Sequence, residues 1–325
     1  MAHAIRFHRP GGPEVLAWEE IEVGEPGPGQ ALLRQTAVGL NYIDVYHRTG
    51  LYPIPSFPAV PGMEGAGVVE AVGPGVEDLK PGDRVAYASG PMGSYAEKRV
   101  MAADRLVKLP DWLDDRRAAA LMLQGMTAQM LLRSTYRVQA GDTVLVHAAA
   151  GGVGTILCQW ARGLGATVIG TVGSDEKAEL ARANGCEHPI VYTRENFVER
   201  VREIAGGKGL PVVYDSVGQA TFAGSLDCLR PRGLMVLFGQ SSGAVAPLDP
   251  NTLASKGSLY LTRPTLFHYI ASRAELEASA SELFEAVRTG MVKVELRQTF
   301  ALKDAADAHR ALESRTTTGS TVLVT

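Results

Sequence analysis

A short run of small residues carries the first chemistry. Ala148-Ala149-Ala150-Gly151-Gly152-Val153-Gly154 follows the apolar stretch Thr143-Val144-Leu145-Val146-His147 and precedes a helix-type segment, 155–164. Such a turn turns backbone N–H groups and a helix N-terminus toward an anion. Bulk at Gly151 or Gly152 would push a pyrophosphate away, and Gly154 lets helix and sheet pack closely. The spacing Ala148-x-x-Gly151-x-x-Gly154 is a relaxed dinucleotide fingerprint. It makes Ala149, Gly151, Gly152 and Val153 candidate cofactor contacts. Glycine clusters also form plain tight turns, so the reading needs a strand–turn–helix unit around them.

A second group lies about 20 residues further on, where NAD-binding versions place an acid for the ribose 2′-OH. Counting reaches Ser174, at the end of Thr167-Val168-Ile169-Gly170-Thr171-Val172-Gly173. Serine does not repel a phosphate. Asp175 follows and opposes that reading, although an acid is also favoured in a first helical turn. Lys177 is a cation in the same turn, opposing the helix dipole by about 0.3–1 kcal/mol. A bound 2′-phosphate would give it a reason, which favours NADPH over NADH.

The elements around these residues alternate. Strands are expected at 166–172, 189–192, 212–215 and 234–239, and helices at 176–184, 197–205 and 221–229. Alternation of this kind implies right-handed crossovers and a parallel sheet covered on both faces. Ligands then lie at the carboxyl ends of strands, which adds Ser216, Phe238 and Gln240 as candidates. Ahead of this region the chain is β-rich, with short strands at 4–7, 16–23 and 30–37, a glycine-laced strand at 61–73 and a turn feeding another strand at 80–87, broken by Gly/Pro turns. That pattern predicts a small, partly open barrel. Asn41 can cap a helix from 42 to about 48. A helix from 114 to 123 is expected to break at Gly125, with Thr127 capping the next, 128–134. Helices at 274–289 and 303–314 and a strand at 321–324 close the chain.

The bulk properties exclude several classes. The chain has 325 residues, 46% hydrophobic and 21% charged, with a formal net charge of −3. A length above that of one core predicts two domains, and the charge argues against a nucleic-acid surface. No apolar run reaches the roughly 18 residues of a membrane span, and the first residues show no secretory pattern. Cys158, Cys186 and Cys228 stand far apart with no CxxC spacing, as expected in the cytoplasm.

Several separated stretches together resemble a known family: Gly39-Leu40-Asn41-Tyr42-Ile43-Asp44, Pro61-Gly62-Met63-Glu64-Gly65-Ala66-Gly67, Lys80-Pro81-Gly82-Asp83-Arg84-Val85, Ala148 to Gly154, and Glu313-Ser314-Arg315 through Gly319-Ser320. The sequence resembles the zinc-independent medium-chain dehydrogenases/reductases, specifically quinone oxidoreductases of the zeta-crystallin type. The resemblance implies an α/β protein: a Rossmann doubly wound parallel sheet at 122–265, inserted into a GroES-like, β-rich partly open barrel at 1–121 and 266–325. It implies NADPH as cofactor, with the residues matching Lys177, Tyr192 and Arg315 near the 2′-phosphate, and Gly173 beside them. It also implies a homodimer formed through edge strands, for which 258–262 is the candidate.

Zinc enzymes of the wider superfamily carry a cysteine and a histidine where this sequence resembles them at Asn41 and Met63, and neither residue here is a good zinc ligand. No metal is therefore expected. Without a Lewis acid, alcohol oxidation loses its easy alkoxide. A quinone, which takes a hydride to give a stabilised aromatic anion, is the natural acceptor. Asn41, Tyr46, Tyr52 and Thr127 are the candidate groups for its oxygens, with Asn41 and Thr127 also near the cofactor. Glu64 matches a family position with a structural role. Two rivals remain: an NADPH-dependent alkenal or enone double-bond reductase, and a crystallin-like non-catalytic NADPH- or RNA-binding protein.

Overall fold

The computed structural model describes residues 1–325 and divides into two compact units. One comprises Met1–Gln124, Ser272–Ala280 and Val294–Thr325; the other comprises Gly125–Ala271 and Ser281–Lys293. The boundaries expected after 121 and 265 therefore shift, and 281–293 joins the second unit rather than the first. The reason is local. Glu282 receives hydrogen bonds from Arg133 and Gln129, both at 2.7 Å, and the Lys293 N–H donates to Gln159 at 2.7 Å.

The second unit is built on six strands in the order His188–Val191, Thr167–Val172, Thr143–Val146, Leu210–Asp215, Leu229–Leu237, Tyr260–Thr262. Every neighbouring pair is parallel. The middle strands read as unbroken apolar runs because both faces are covered. Leu145, Ile169, Val213 and Met235 are fully buried in one cluster. Chain order reverses direction between Thr143–Val146 and Leu210–Asp215, the doubly wound switch point, beside which such sheets bind ligands.

In the first unit, the 11-residue strand Gln30–Leu40 is the organiser. Its first half pairs with Lys98–Ala102 and its second half with Ser320–Val324, while Gly65–Val72 lies along its other edge. Register shifts at Leu32/Leu33 and Gln35/Ala37 bend it, as bulges do. The result is a curved seven-stranded sheet, with a separate hairpin of Ala2–Arg6 and Ala17–Ile21. The strand Leu296–Ala301, which the sequence reading did not predict, runs parallel to Ser320–Val324.

One expected break is absent. The helix Met122–Met130 runs straight through Gly125 and contains Thr127, which caps nothing. Its start is fixed from a distance: the Glu64 carboxylate accepts the Leu123 N–H at 2.6 Å. A carboxylate at a helix N-terminus satisfies a donor that the helix itself cannot.

Candidate functional site

The dinucleotide turn sits at the carboxyl end of Thr143–Val146. Ala148 takes a left-handed conformation, φ 53°, which a small side chain tolerates better than a branched one. Gly151 is the N-cap of the helix Gly152–Gly163 and offers no side chain to cap it. The neighbouring helices Asp175–Ala183 and Phe197–Ile204 are capped by the Ser174 and Asn196 side chains. The first N–H groups of Gly152–Gly163 are thus left to face an anion. At Gly154 an added Cβ would strike the Ala148 carbonyl oxygen and lie 2.9 Å from the Ala149 Cα. Helix and strand end are packed backbone to backbone.

The next strand end brings together the residues read as a 2′-phosphate site. The Ser174 hydroxyl accepts the Lys177 N–H at 3.3 Å. A Cβ on Gly173 would lie 3.1 Å from the Tyr192 hydroxyl oxygen, so that phenol covers Gly173. Ser216, Phe238 and Gln240 also converge. The Phe238 N–H donates to Asp215 at 2.8 Å, Ser241 donates to the Ser216 carbonyl at 3.1 Å, and a Cβ on Gly218 would lie 2.9 Å from the Gln240 Cα.

Below these loops lies a buried polar cluster around His147 and Asp215. Asp215 accepts the N–H groups of Val217 at 2.8 Å and Gly218 at 3.0 Å, and the Ser225 hydroxyl at 2.9 Å. His147 Nε2 lies 2.9 Å from the same serine and Nδ1 lies 2.8 Å from the Thr171 hydroxyl. Since Ser225 donates to Asp215, the imidazole donates through Nε2 and accepts through Nδ1. Burial, its largest influence, pulls the His147 pKa down and keeps the ring neutral. The carboxylate holds the serine rather than the imidazole, the reverse of a nucleophilic triad. One neutral ring thus ties together the ends of three strands: Thr143–Val146, Thr167–Val172 and Leu210–Asp215.

In the first unit, Asn41 occupies the N-cap of the helix Tyr42–Thr49 and its N–H donates to the Asp44 carboxylate at 2.9 Å. Its amide is used elsewhere. Ser320 donates to Gln124 Oε1 at 2.8 Å, Gln124 Nε2 to Asn41 Oδ1 at 3.1 Å, and Asn41 Nδ2 to Glu64 Oε2 at 2.6 Å. The chain runs one way, with Asn41 Oδ1 accepting and Nδ2 donating. One Nδ2–H is used on Glu64, and the chain leaves the other as a donor group. Tyr46 and Tyr52 gather with Tyr42, at ring separations of 5.0 Å for Tyr46–Tyr52 and 5.6 Å for Tyr42–Tyr46. Arg315, at φ 59° after the helix Ala305–Glu313, lies near enough to Tyr42 to lower its phenol pKa, although burial raises it more. Thr127 belongs to the second unit, half-buried on the helix Met122–Met130. Gln124 and Ser320 carried no signal in the sequence, because their partners are 83 and 196 residues away.

Around Asn41 and Met63 the donor set is an amide and a thioether, a poor pair for zinc. No group of three His, Cys, Asp or Glu side chains able to hold a metal ion is present.

Glu64 is wholly buried, and burial pushes its pKa up to about 8 against the lowering by the Asn41 and Leu123 donors. Asp44 is pushed up to about 7 by burial, and burial holds His309 down at about 3. Raised acids keep protons that the unfolded chain has lost, so their contribution to stability falls as pH rises through the window. The depressed histidine has the opposite sign and acts only below its ordinary value of 6.5. Between pH 6.5 and about 8, the two carboxyl groups therefore erode stability without opposition from His309. The variant Glu64→Gln puts an amide N–H against a donor and loses about 1–3 kcal/mol. Its melting temperature should nevertheless fall less over this pH window than that of the wild type. Equal slopes in thermal unfolding would reject the assignment.

The family model described as alcohol dehydrogenase GroES-like domain matches residues 27–111, and that described as zinc-binding dehydrogenase matches 152–285. A quinone oxidoreductase of Pseudomonas aeruginosa is 53% identical over 324 residues, spanning 100% of both chains. A 2-haloacrylate reductase of a Burkholderia species is 50% identical, spanning 100% of this chain and 99% of the relative. The crystal structure of the Escherichia coli quinone oxidoreductase complexed with NADPH has a TM-score of 0.98 at 48% identity, spanning 100% of both chains.

Proposed function

The chain belongs to the quinone oxidoreductase family of medium-chain dehydrogenases/reductases, and from this premise we infer that it is an NADPH:quinone oxidoreductase. The observation that carries the reading is the turn Ala148–Gly154 with its uncapped helix, followed one strand later by a hydroxyl- and cation-bearing second turn. NADPH, when bound, supplies a hydride. Gly151, Gly152 and Val153 would hold its pyrophosphate through their backbone. Ser174, Lys177 and Tyr192 would hold the 2′-phosphate. Ser216, Phe238 and Gln240 would line the nicotinamide end.

The remaining steps are the work of side chains. The amide of Asn41, oriented by Gln124 and Glu64, donates an N–H to an acceptor oxygen as charge builds there. Tyr46 and Tyr52 add hydroxyls. Positioning and donated hydrogen bonds take the place of a Lewis acid, and water supplies the final proton. The variant Asn41→Ala should lower kcat/KM for quinones by about a hundredfold, far more than it weakens the Kd for NADPH. An equal loss in both would make Asn41 a cofactor contact alone.

The relative named for 2-haloacrylate favours a second reading, reduction of an activated C=C bond on the same site. A panel of quinones, alkenals, haloacrylates and alcohols, run with NADPH and with NADH, separates the two. Turnover of alkenes but not quinones would replace the first reading with the second.

We place the protein in the cytoplasm, because its three cysteines are free and buried. No helix is long and apolar enough to cross a membrane. We assign a homodimer joined through the edge strand Tyr260–Thr262, where Tyr260 is 61% exposed. Nucleic acid is not a main partner on a chain of net charge −3.

A further inference from the structure

The turns that follow Thr167–Val172 and His188–Val191 are clasped together. The strands are parallel neighbours. Beyond them, the Tyr192 N–H donates to the Val172 carbonyl at 3.1 Å, and the Thr193 hydroxyl to the Gly173 carbonyl at 3.4 Å. The last clasp is ionic. Arg194 donates through both terminal nitrogens to the two oxygens of Asp175, at 2.5 and 2.6 Å. Its backbone N–H is anchored to the Val191 carbonyl at 3.1 Å.

Asp175 is the first residue of the helix Asp175–Ala183, directly after Ser174 and two before Lys177. It is the acid that speaks against a phosphate at this strand end. Both side chains of the pair are largely exposed, 71% for Asp175 and 56% for Arg194. Exposed pairs contribute little to folding because solvent screens them. The consequence of this one lies in what it does to the carboxylate. With both oxygens in the guanidinium fork, Asp175 has no free oxygen aligned for a ribose 2′-OH and presents no uncompensated charge. The fork also holds the Asp175 carboxyl below its ordinary range, so it stays ionised and paired.

We propose that Arg194 is a specificity-determining residue for NADPH, acting through Asp175: by clamping that carboxylate it turns an acid that would repel the 2′-phosphate into half of a neutral pair. The proposal rests on the reading of Gly173, Ser174, Lys177 and Tyr192 as the 2′-phosphate site. Arg194 is thus a positioning residue. Releasing it would free an acceptor suited to NADH as well as a charge opposed to NADPH.

The test uses the full-length protein and compares the Kd and KM for NADPH and NADH in the wild type, Arg194→Ala, Asp175→Asn and the double variant. Arg194→Ala should reduce the NADPH-to-NADH preference roughly tenfold, the scale of one charge-assisted contact. NADPH affinity should fall and NADH affinity should hold or rise. Because the acid is the cause, adding Asp175→Asn to Arg194→Ala should restore most of the preference, and Asp175→Asn alone should keep it. Activity with NADH serves as the folding control, and the exposure of both side chains makes unfolding no explanation for a loss. A wild type that prefers NADPH, with an Arg194→Ala variant that prefers it equally, overturns the proposal alone. A double variant no better than Arg194→Ala also overturns it, since the arginine would then act directly. A wild type with no preference overturns the 2′-phosphate reading, and the proposal with it.

Discussion

Replacing Gly154 by valine should weaken NADPH binding by ten- to a hundredfold or more. A Cβ at this position meets the Ala148 carbonyl oxygen, the Ala149 Cα and the Ala148 carbonyl carbon, all backbone atoms. No rotamer change relieves such a contact, so the helix Gly152–Gly163 must tilt away from the strand or the turn must deform. Overpacking of this type costs about 1–3 kcal/mol, which corresponds to roughly ten- to a hundredfold in affinity, and valine adds two further carbons. Either response moves the N–H groups that would face the pyrophosphate. Titration of the variant with NADPH, followed by fluorescence or calorimetry, reads the loss. Gly24→Ala is the matched control, since a Cβ there meets nothing within 4 Å and φ is not left-handed. Wild-type affinity in Gly154→Val would mean that the close packing has no bearing on the cofactor.

The second large effect is on stability and lies away from the nucleotide. The side chain of Arg48 is wholly buried. It forks onto Glu313 at 2.7 and 2.8 Å, donates through Nε to the Gly11 carbonyl at 3.1 Å, and meets His309 Nδ1 at 3.0 Å. His309 Nε2 in turn lies 3.1 Å from the Tyr95 hydroxyl, which donates to Asp44 at 3.1 Å. The guanidinium therefore pins the helix Tyr42–Thr49 to the helix Ala305–Glu313. Arg48→Met should destabilise the protein by about 3–5 kcal/mol, the scale for removing one partner of a buried pair. The melting temperature should drop by roughly 10 °C. Arg48→Lys should rescue little, since an ammonium cannot reproduce the fork and the Nε contact together. A melting temperature within a degree or two of wild type would show that the network is dispensable.

The parallel sheet was legible because its strands are buried on both faces and read as apolar runs between glycine-marked turns. Thr143–Val146 and Leu210–Asp215 are of this kind. The turn Ala148–Gly154 was legible for the same reason, since chemistry and backbone conformation are written in adjacent residues. Leu296–Ala301 was not, because a half-exposed strand containing Arg297, Gln298 and Thr299 shows no apolar run. Gly125 misled because local propensity suggests a break, whereas tertiary contacts decided the matter. Its helix is buried and started by a carboxylate 59 residues earlier in the chain. Gln124, Ser320 and Arg194 were invisible for a related reason. A polar side chain acquires its role from a partner brought by folding, and no spacing rule connects Ser320 to Gln124 or Arg194 to Asp175.

The buried knot of His147, Thr171, Ser225 and Asp215 has an implication for how this fold can change its diet. The side chains that tie the strand ends together are buried under the sheet ends. The side chains proposed to discriminate between dinucleotides, Asp175, Lys177, Tyr192 and Arg194, lie on the water side. The two sets share no residue. A lineage, or a protein engineer, can therefore rewrite coenzyme preference with solvent-side substitutions while the framework that shapes the cradle stays untouched. Selection on the two traits can proceed separately.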